Sequence, residues 1–270
     1  MTDCTDSRLS AAVRAVGVIG PGLPDWPSAV AVLRGQQAYA PAPLEVPPPA
    51  ALPPPERRRV GAPVRLALAA AAQALGASGG AATDLATVFA ASGGDGAICH
   101  EICSALAAHE RHLSPTAFHN SVHNAAAGYW SIAMHATAPS TALSAYDGSF
   151  AAGLLEALAQ VSARAAPVLL VSYDTAYPEP LHSKRPILAP FACALLLEPG
   201  RASGCAAWIS ATLACAPADT LAGPLETLRR GTPSARALPL LQRIARAEGA
   251  QVVLEYLPDL PLAVEVTPCP

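Results

Sequence analysis

The sequence is poor in charged and aromatic residues. Of its 270 residues only 14% are Asp, Glu, Lys or Arg and 5% are aromatic, whereas 52% are hydrophobic and the formal net charge is -3. Such a composition can bury a large core and is not typical of a disordered protein. Without an excess of basic residues the chain has no general attraction for nucleic acid or anionic lipid. We therefore expect one large domain or two small ones, and no nucleic-acid partner.

Strongly apolar runs of membrane-spanning length are also missing. The longest uncharged helical stretch, residues 66–83, is mostly alanine and is interrupted by Gly76, Gly79 and Gly80, whereas a bilayer span needs about 20 strongly apolar residues. The N-terminus carries Asp3 and Asp6 and no basic segment followed by an apolar one, so it does not resemble a secretory signal. We expect no membrane span and a cytoplasmic location.

The cysteines do not form a regular framework. There are seven, an odd number, and they stand at positions 4, 99, 103, 193, 205, 215 and 269. This irregular spacing favours reduced, mostly buried thiols. We expect no structural disulfide.

Short apolar runs alternate with helical patterns along most of the chain. Strands are predicted at 12–19, 85–91, 140–145, 167–172, 191–197, 205–213, 251–256 and 262–266. Helices are predicted at 26–34, 63–75 (ended by Gly76), 97–110, 124–134 and 235–248, and another helix, capped by Asp147-Gly148-Ser149, is predicted to run through Phe150 and Val161. Residues 41–55 are so rich in proline that they predict an extended surface loop. The alternation predicts an α/β fold built in layers.

Residues 113–146 contain no Asp, Glu, Lys or Arg. A stretch of this length without charge belongs either to the core or to a protein interface. Because it is rich in His, Asn, Ser and Gly it is not a membrane span, and we interpret it as a buried loop followed by a helix and a strand.

Motifs for common cofactors are weak or missing. Cys99, His100 and Cys103 precede His119 and His123, but this spacing does not match that of zinc ligands. Ser144 has Ala142 and Tyr146 where a hydrolase elbow has glycines, and no phosphate-binding glycine motif opens a helix. We expect no metal and no cofactor.

The predicted turn from strand to helix within residues 140–155 is a suitable place for a nucleophile. At a helix N-terminus the dipole and the free N–H groups lower the pKa of a thiol and stabilise an oxyanion. In this sequence the turn offers Asp147 and no cysteine.

Several segments between residues 12 and 198 follow one another in a familiar order. They are AVGVIGPGL, VLRGQQAY, RLALAAAAQALGASG, TVFAASGGDG, LSPTAFHNSVHNAAAGYWSIAMHATAPSTALSAYDGSFAAGLLEAL, PVLLVSYD and FACALLLEP. As an ordered set they resemble the N-terminal half of the β-ketoacyl synthases of fatty-acid and polyketide synthesis. The resemblance is greatest to the short chain-length factors that accompany true ketosynthases, for example in aryl polyene synthesis, and it implies a thiolase-like fold.

The resemblance also implies that catalytic groups have been lost. Ketosynthases carry a nucleophilic cysteine at this turn, and an ungapped comparison places that position at Asp147, whereas a gapped one places it at Ala145. Neither residue can form a thioester. The family also needs two histidines from its second half, and this sequence contains no histidine after His182. The resemblance therefore implies no independent catalysis of condensation.

By the same resemblance, residues 1–198 form a ketosynthase N-terminal-like domain and residues 199–270 a strand-helix-strand extension packed on it. The implied partners are a catalytic ketosynthase, in a heterodimer, and an acyl carrier protein, for which Arg57, Arg58 and Arg59 are either a docking site or a solvated charge run. The implied interface or tunnel residues are Phe118, His119, Val122, His123, Asn124, Gly128, Ser144 and Tyr146. Two alternatives stay open: a stand-alone decarboxylase or acyltransferase that uses Asp147, and a purely structural subunit.

Overall fold

The computed structural model describes residues 8–80, 82–109, 111–201 and 204–269. In this part of the chain the strands form one mixed, eight-stranded sheet in the order β3-β2-β4-β5-β1-β6-β8-β7. The strands are β1 Leu9–Ile19, β2 Ala86–Ala90, β3 Ser140–Leu143, β4 Val168–Asp174, β5 Phe191–Glu198, β6 Ala207–Leu213, β7 Ala250–Leu257 and β8 Leu260–Pro268. β2 pairs in parallel with β3 and β4, and the other pairs are antiparallel.

Helices cover both faces of the sheet. They are α1 Trp26–Leu33, α2 Pro54–Arg57, α3 Ala62–Ser78, α4 Gly96–Ala107, α5 Pro115–Asn120, α6 Ala125–Met134, α7 Ser149–Arg164, α8 Leu181–Lys184, α9 Pro224–Gly231 and α10 Leu238–Arg246, with 3-10 turns at Tyr146–Gly148 and Pro233–Ala237. α7 and α10 pack into the core on one face, and α3 and α6 into the core on the other. The predicted layered α/β architecture is confirmed.

The central strands form because their sequences are continuously apolar. Every residue of β2 (ATVFA) and of β4 (VLLVSYD) is buried, as is typical of strands covered on both faces. Both strands were predicted within one or two residues of their ends. In the part of the chain that the structure describes, no helix has the length and apolarity needed to cross a bilayer.

Two predicted helix ends are wrong. α3 continues past Gly76 to Ser78, and it ends where Gly79 adopts the left-handed conformation with φ 66°. The buried alanines of α3 keep it on the sheet through Gly76, although a glycine inside a helix costs about 1 kcal/mol relative to alanine. α4 ends at Ala107, and the predicted terminal residue, Glu110, lies outside the described residues.

The predicted buried loop at the start of the charge-free stretch is also wrong. Residues 115–120 form the short helix α5, and most side chains from 111 to 124 are exposed, with Phe118 67% and Val122 51% exposed. The absence of charge fits a core and an interface equally well, so composition does not decide between them. In the isolated chain this segment lies on the surface.

The expectation of no structural disulfide is wrong, because Cys205 and Cys269 are joined, with their Cα atoms 5.7 Å apart. Cys205 precedes β6 and Cys269 follows β8, and the antiparallel register of these strands pairs Ala207 with Pro268. The sheet therefore brings two cysteines together that lie 64 positions apart in sequence.

The C-terminal part continues the same sheet through β6, β8 and β7. The helix predicted at 235–248 is shorter than expected: the 3-10 turn Pro233–Ala237 comes first, and α10 follows with Pro239 in its first turn, where proline is tolerated. α9 was not predicted.

Candidate functional site at the ends of the parallel strands

Hydrogen bonds join the carboxyl ends of the three parallel strands β2, β3 and β4. Ser92 follows β2, Ser144 follows β3, and Asp174 ends β4. The Asp174 carboxylate accepts hydrogen bonds from the N–H of Ser92 at 2.9 Å and from its hydroxyl at 2.6 Å, and the Ser144 hydroxyl donates to the Ser92 carbonyl at 3.0 Å. Such strand ends are where α/β proteins place their sites.

Asp174 also fixes a segment from the C-terminal part of the chain. Its second oxygen accepts from the N–H of Ser234 at 2.8 Å, and the Ser234 hydroxyl donates to the Phe191 carbonyl at 2.8 Å. Burial raises the pKa of Asp174, and the hydrogen bonds from Ser92 and Ser234 partly offset that rise. These bonds hold the 3-10 turn 233–237, and therefore Arg236, against the ends of the strands.

The turn between β3 and α7 has a defined backbone. The Ser149 hydroxyl accepts from the N–H of Ala145 at 2.9 Å and donates to the carbonyl of Tyr146 at 2.7 Å. Tyr146 has φ 52°, and its side chain is 61% exposed. A left-handed conformation is unusual for a bulky residue and marks a strained position.

The cap predicted for α7 does not form as expected. Gly148 is the N-cap residue of α7, and no side chain caps the helix. Gly148 is required because the chain passes close to β7: a Cβ atom on it would lie 2.1 Å from the carbonyl oxygen of Tyr256. The Asp147 carboxylate is used elsewhere, by two arginines.

Asp147 belongs to a network of ion pairs in which acidic and basic side chains alternate. It accepts from Arg185 at 2.5 Å and pairs with Arg236 at 3.0 Å. Arg236 also pairs with Glu255. The network continues through Arg229, which donates to Glu255 at 2.8 Å and to Glu226 through two hydrogen bonds of 2.7 Å. Arg185 and Arg236 therefore contact the turn after β3 directly, and Glu255 on β7 and Arg229 on α9 extend the network away from it.

The two arginines that contact Asp147 differ in their surroundings. The Arg185 guanidinium lies 3.6 Å from the centre of the Tyr146 ring, a cation-π contact. Burial acts to lower the pKa of Arg185, but the hydrogen bond and the attraction of Asp147 raise it overall. Burial lowers the pKa of Arg236 despite the opposing effect of Asp147. Both oxygens of Asp147 are engaged, one by Arg185 and the other by Arg236.

A cavity of about 1060 Å³ opens beside the turn. Its charged lining residues are Asp147, Arg236, Glu255 and Asp259, and the other lining residues are mostly apolar. The lining residues come from the turn (145–148), from 215–218, from Arg236 and from 255–259 with Pro261. The cavity therefore lies between the turn after β3 and the C-terminal part of the chain.

The residues predicted for an interface or tunnel fall into two groups. Phe118, His119, Val122, His123, Asn124 and Gly128 lie on α5, on the turn after it and on α6, whereas Ser144 and Tyr146 lie at the turn after β3. Phe118, His119, Val122, Asn124 and Gly128 are exposed. His123 is half-buried, and its Nε2 atom has no hydrogen-bond partner in the described part of the chain.

The exposed helix α5 is nevertheless anchored. Asn120 is buried, its amide nitrogen donates to the Arg59 carbonyl at 2.8 Å, and its oxygen accepts from the Tyr129 hydroxyl at 2.9 Å. The His119 ring lies edge-on to the Tyr129 ring at 6.3 Å. Asn120 thus fixes the position of α5, which exposes Phe118 to solvent.

The described residues contain no group of three or more His, Cys, Asp or Glu side chains that could hold a metal. Cys99 and Cys103 are exposed on α4. Partial desolvation of the Cys99 thiol, and then the neighbouring Cys103, raise its pKa.

Sequence reasoning missed the partners of Asp147. Its direct partners are Arg185, just after α8, and Arg236, in the 3-10 turn Pro233–Ala237; Glu255 on β7 and Arg229 on α9 lie beyond them. No short motif joins them, and their convergence depends on the order of the strands in the sheet.

This architecture, a layered mixed sheet with a strand-turn-helix site at its parallel end, is that of the thiolase-like ketosynthases. The family described as the β-ketoacyl synthase N-terminal domain matches residues 32–251, and the chain belongs to that family. None of the curated proteins matches the sequence significantly.

Solved structures agree with the family. One chain of the complex between the ketosynthase ApeO and its chain length factor ApeC from Xenorhabdus doucetiae is 27% identical, with a TM-score of 0.71, and the match covers 95% of this chain and 99% of that one. The ishigamide ketosynthase/chain length factor matches at 14% identity and TM-score 0.74, covering 97% and 100%. A type II polyketide synthase acyl-carrier protein in complex with its ketosynthase matches at 13% identity and TM-score 0.75, covering 97% and 99%. The last two show the fold alone.

Proposed function

We propose that this chain is a non-catalytic ketosynthase-like subunit, a chain-length factor, that pairs with a catalytic β-ketoacyl synthase and shapes the tunnel for the growing acyl or polyene chain. The observation that carries the proposal is the turn after β3. Ala145, Tyr146 and Asp147 provide no thiol there, whichever register is used, and two arginines hold the Asp147 carboxylate. Without a nucleophile the covalent acyl-enzyme cannot form.

A surface suited to a partner supports the pairing. The charge-free stretch 113–146 exposes Phe118, Val122 and Tyr146, and it includes β3, which is an edge strand of the sheet in the described part of the chain. Exposed aromatic and aliphatic side chains in an uncharged surface are typical of the centre of a protein interface.

The length of the matched proteins supports the same conclusion. The chain covers 99% of its match in the ApeO and ApeC complex, but only 48% of a ketosynthase from the bacillaene synthase. By this proposal residues 1–198 form the ketosynthase-like domain. Residues 199–270 form an extension that packs on this domain beside the turn after β3. We propose that the subunit works in the cytoplasm with an acyl carrier protein.

The test is reconstitution of condensation. The purified chain, a catalytic ketosynthase and the two together are each given acyl- and malonyl-loaded carrier protein. We expect no condensation by the chain alone, and longer products from the pair than from the ketosynthase alone. Condensation by the chain alone would overturn the proposal.

A stand-alone decarboxylase or acyltransferase is the second candidate, and the cavity of about 1060 Å³ beside Asp147 favours it. This function would need the Asp147 carboxylate to act in the reaction. An Asp147→Asn variant that supports unchanged product formation in the reconstituted system would exclude it.

A further inference from the structure

A second groove, of about 740 Å³, lies between the segment that contains α8 and helix α9. Its apolar part includes Leu221, Pro186 and Leu188, and Leu188 is 56% exposed. The groove is separate from the charge-free stretch 113–146. The proposed ketosynthase interface therefore does not account for its exposed leucine.

Unpaired positive charge surrounds this groove. Lys184, the only lysine of the sequence, is exposed between the lining residues His182 and Pro186, and Arg230 is exposed on the opposite wall. In the described part of the chain, neither Lys184 nor Arg230 makes an ion pair. Two cations beside an exposed leucine are suited to an acidic protein surface that carries an apolar side chain.

The acids near the groove form no contact ion pair with Lys184 or Arg230 in the described part of the chain. Glu226 lines the groove, but it is held by Arg229 and accepts from the N–H of Leu221 at 2.9 Å. The hydrogen bond from Arg229 lowers the pKa of Glu226, and the positive charges of Arg229 and Arg230 add to that effect. Glu179 accepts from the N–H of Ser183 at 3.3 Å. Lys184 and Arg230 are therefore available to a partner.

Hydrogen bonds connect the two walls of the groove. The N–H of Leu188 donates to the Gly231 carbonyl at 2.8 Å, and the Thr232 hydroxyl donates to the Ala189 carbonyl at 3.0 Å. A surface fixed in this way loses little conformational entropy when it binds.

The segment that forms one wall of the groove is linked to the turn after β3 through Arg185. Arg185, the neighbour of Lys184, contacts both Asp147 and the Tyr146 ring. A protein bound at Lys184 and Arg230 would therefore lie next to the turn.

The run Arg57 to Arg59 is a weaker site for an acidic partner. Arg57 donates to the carbonyls of Ala50 and Leu52, both at 2.8 Å, and Arg59 pairs with Glu56 at 3.0 Å. Two of the three arginines thus serve the structure of the proline-rich loop and of α2.

We propose that the groove flanked by Lys184 and Arg230, with Leu188 at its apolar centre, is the docking surface for the acyl carrier protein. The inference rests on the proposed function, which supplies the carrier as the acidic partner. Lys184 and Arg230 pair with carboxylates of the carrier, and Leu188 packs against one of its apolar side chains.

Carbodiimide cross-linking tests this surface, because Lys184 supplies the only side-chain amine of the chain. The holo acyl carrier protein of the same synthase is mixed with the chain alone and with its ketosynthase complex, and cross-linked peptides are identified by mass spectrometry. Affinity is measured in parallel for Lys184→Glu, Arg230→Glu and the double variant. Arg58→Glu is the matched control, since it reverses an exposed charge in the alternative site.

We expect an amide between Lys184 and a carrier carboxylate, its loss in Lys184→Arg, and an affinity about tenfold or more weaker in the double variant, with Arg58→Glu unchanged. Carrier binding without a Lys184 cross-link and with unchanged affinity in the double variant would overturn the docking surface, as would the absence of binding to both samples. Failure of the chain to pair with a ketosynthase would count against the proposed function instead, and the sample of the chain alone would still decide the docking surface.

Discussion

Arg236 pairs with Asp147 at 3.0 Å and so joins the C-terminal part of the chain to the turn after β3. In the ketosynthases that this chain resembles, the second half of the fold brings histidines to this turn. Here the segment downstream of β5 brings an arginine, whose partner Glu255 leads on to Arg229 and Glu226. Ion pairs from distant parts of the sequence therefore meet at the turn and hold its shape.

Removing the Asp147 carboxylate should destabilise the fold. Asp147→Ala leaves Arg185 and Arg236, whose side chains are 20% and 17% exposed, without their shared acceptor. We expect the free energy of unfolding in urea to fall by about 1–2 kcal/mol, and Asp147→Asn to lose less because it keeps one acceptor oxygen. Equal stability of Asp147→Ala and the parent chain would show that the ion pairs contribute nothing.

Gly148 and Gly128 form a matched pair for substitution by alanine. At Gly148 a Cβ would lie 2.1 Å from the Tyr256 carbonyl oxygen, whereas at Gly128, inside α6, it would meet nothing within 4 Å. We expect Gly148→Ala to lose about 1–3 kcal/mol through steric overlap and Gly128→Ala to gain about 0.5–1 kcal/mol of helix stability. Thermal unfolding of both variants checks this, and a harmless Gly148→Ala would contradict the close approach of β7 to the turn.

Phe118 should matter for pairing and not for folding. Because its side chain is 67% exposed in the isolated chain, Phe118→Ala should change the free energy of unfolding by no more than about 0.5 kcal/mol. We expect it to weaken the complex with the ketosynthase roughly tenfold or more, as truncation of an aromatic anchor does. Leu213→Ala, at a leucine 55% exposed outside residues 113–146, is the control.

Product length separates tunnel shaping from scaffolding. Val122→Phe or Phe118→Leu, assayed at concentrations that saturate the complex, should shift the distribution of chain lengths. An unchanged distribution with normal yield of complex would leave a structural subunit as the better description.

Asp174 and Glu226 should give opposite pH dependences of stability. Burial raises the pKa of Asp174 above its ordinary value of 3.8, so its contribution to stability is present below pH 3.8 and is lost as pH rises through the folded-state pKa. Arg229 lowers the pKa of Glu226 below 4.5, so that contribution is present above pH 4.5 and is lost as pH falls through the folded-state pKa. Unfolding free energies of Asp174→Asn and Glu226→Gln, each subtracted from the parent value, should have slopes of opposite sign between about pH 3.5 and 6. Slopes of the same sign would contradict the assigned surroundings.

The Cys205–Cys269 disulfide should stabilise the last strands of the sheet. It closes a loop of 64 positions, for which the chain-entropy model gives about 4 kcal/mol. Urea unfolding with and without a reductant, compared with Cys269→Ser, measures this contribution. We expect the variant to match the reduced parent chain, and equal stability of the oxidised and reduced chains would contradict the prediction.

The core strands could be predicted because their signals are local. β2 and β4 are short, continuous apolar runs bounded by turn residues, and a strand buried on both faces has that pattern wherever it lies in the sheet. The turn at Asp147 was located for the same reason, since a strand, a glycine-containing turn and an amphipathic helix follow one another there.

The rest depends on contacts between distant elements. The exposure of Phe118 follows from how α5 is anchored by Asn120, and the pairing of Cys205 with Cys269 follows from the register of β6 on β8. The arginines around Asp147 converge only once the sheet is assembled. No local pattern encodes these contacts, so the sequence pointed to the turn but not to what surrounds it.

By the proposed function this chain works as one half of a heterodimer with a catalytic ketosynthase. The most direct measurement is the native mass of the chain after affinity purification from its own host at low expression, with mass spectrometry of its stoichiometric partners. We expect a one-to-one complex with a ketosynthase that carries the active-site cysteine. A chain recovered alone or as a stable assembly of its own copies, with no ketosynthase, would contradict it.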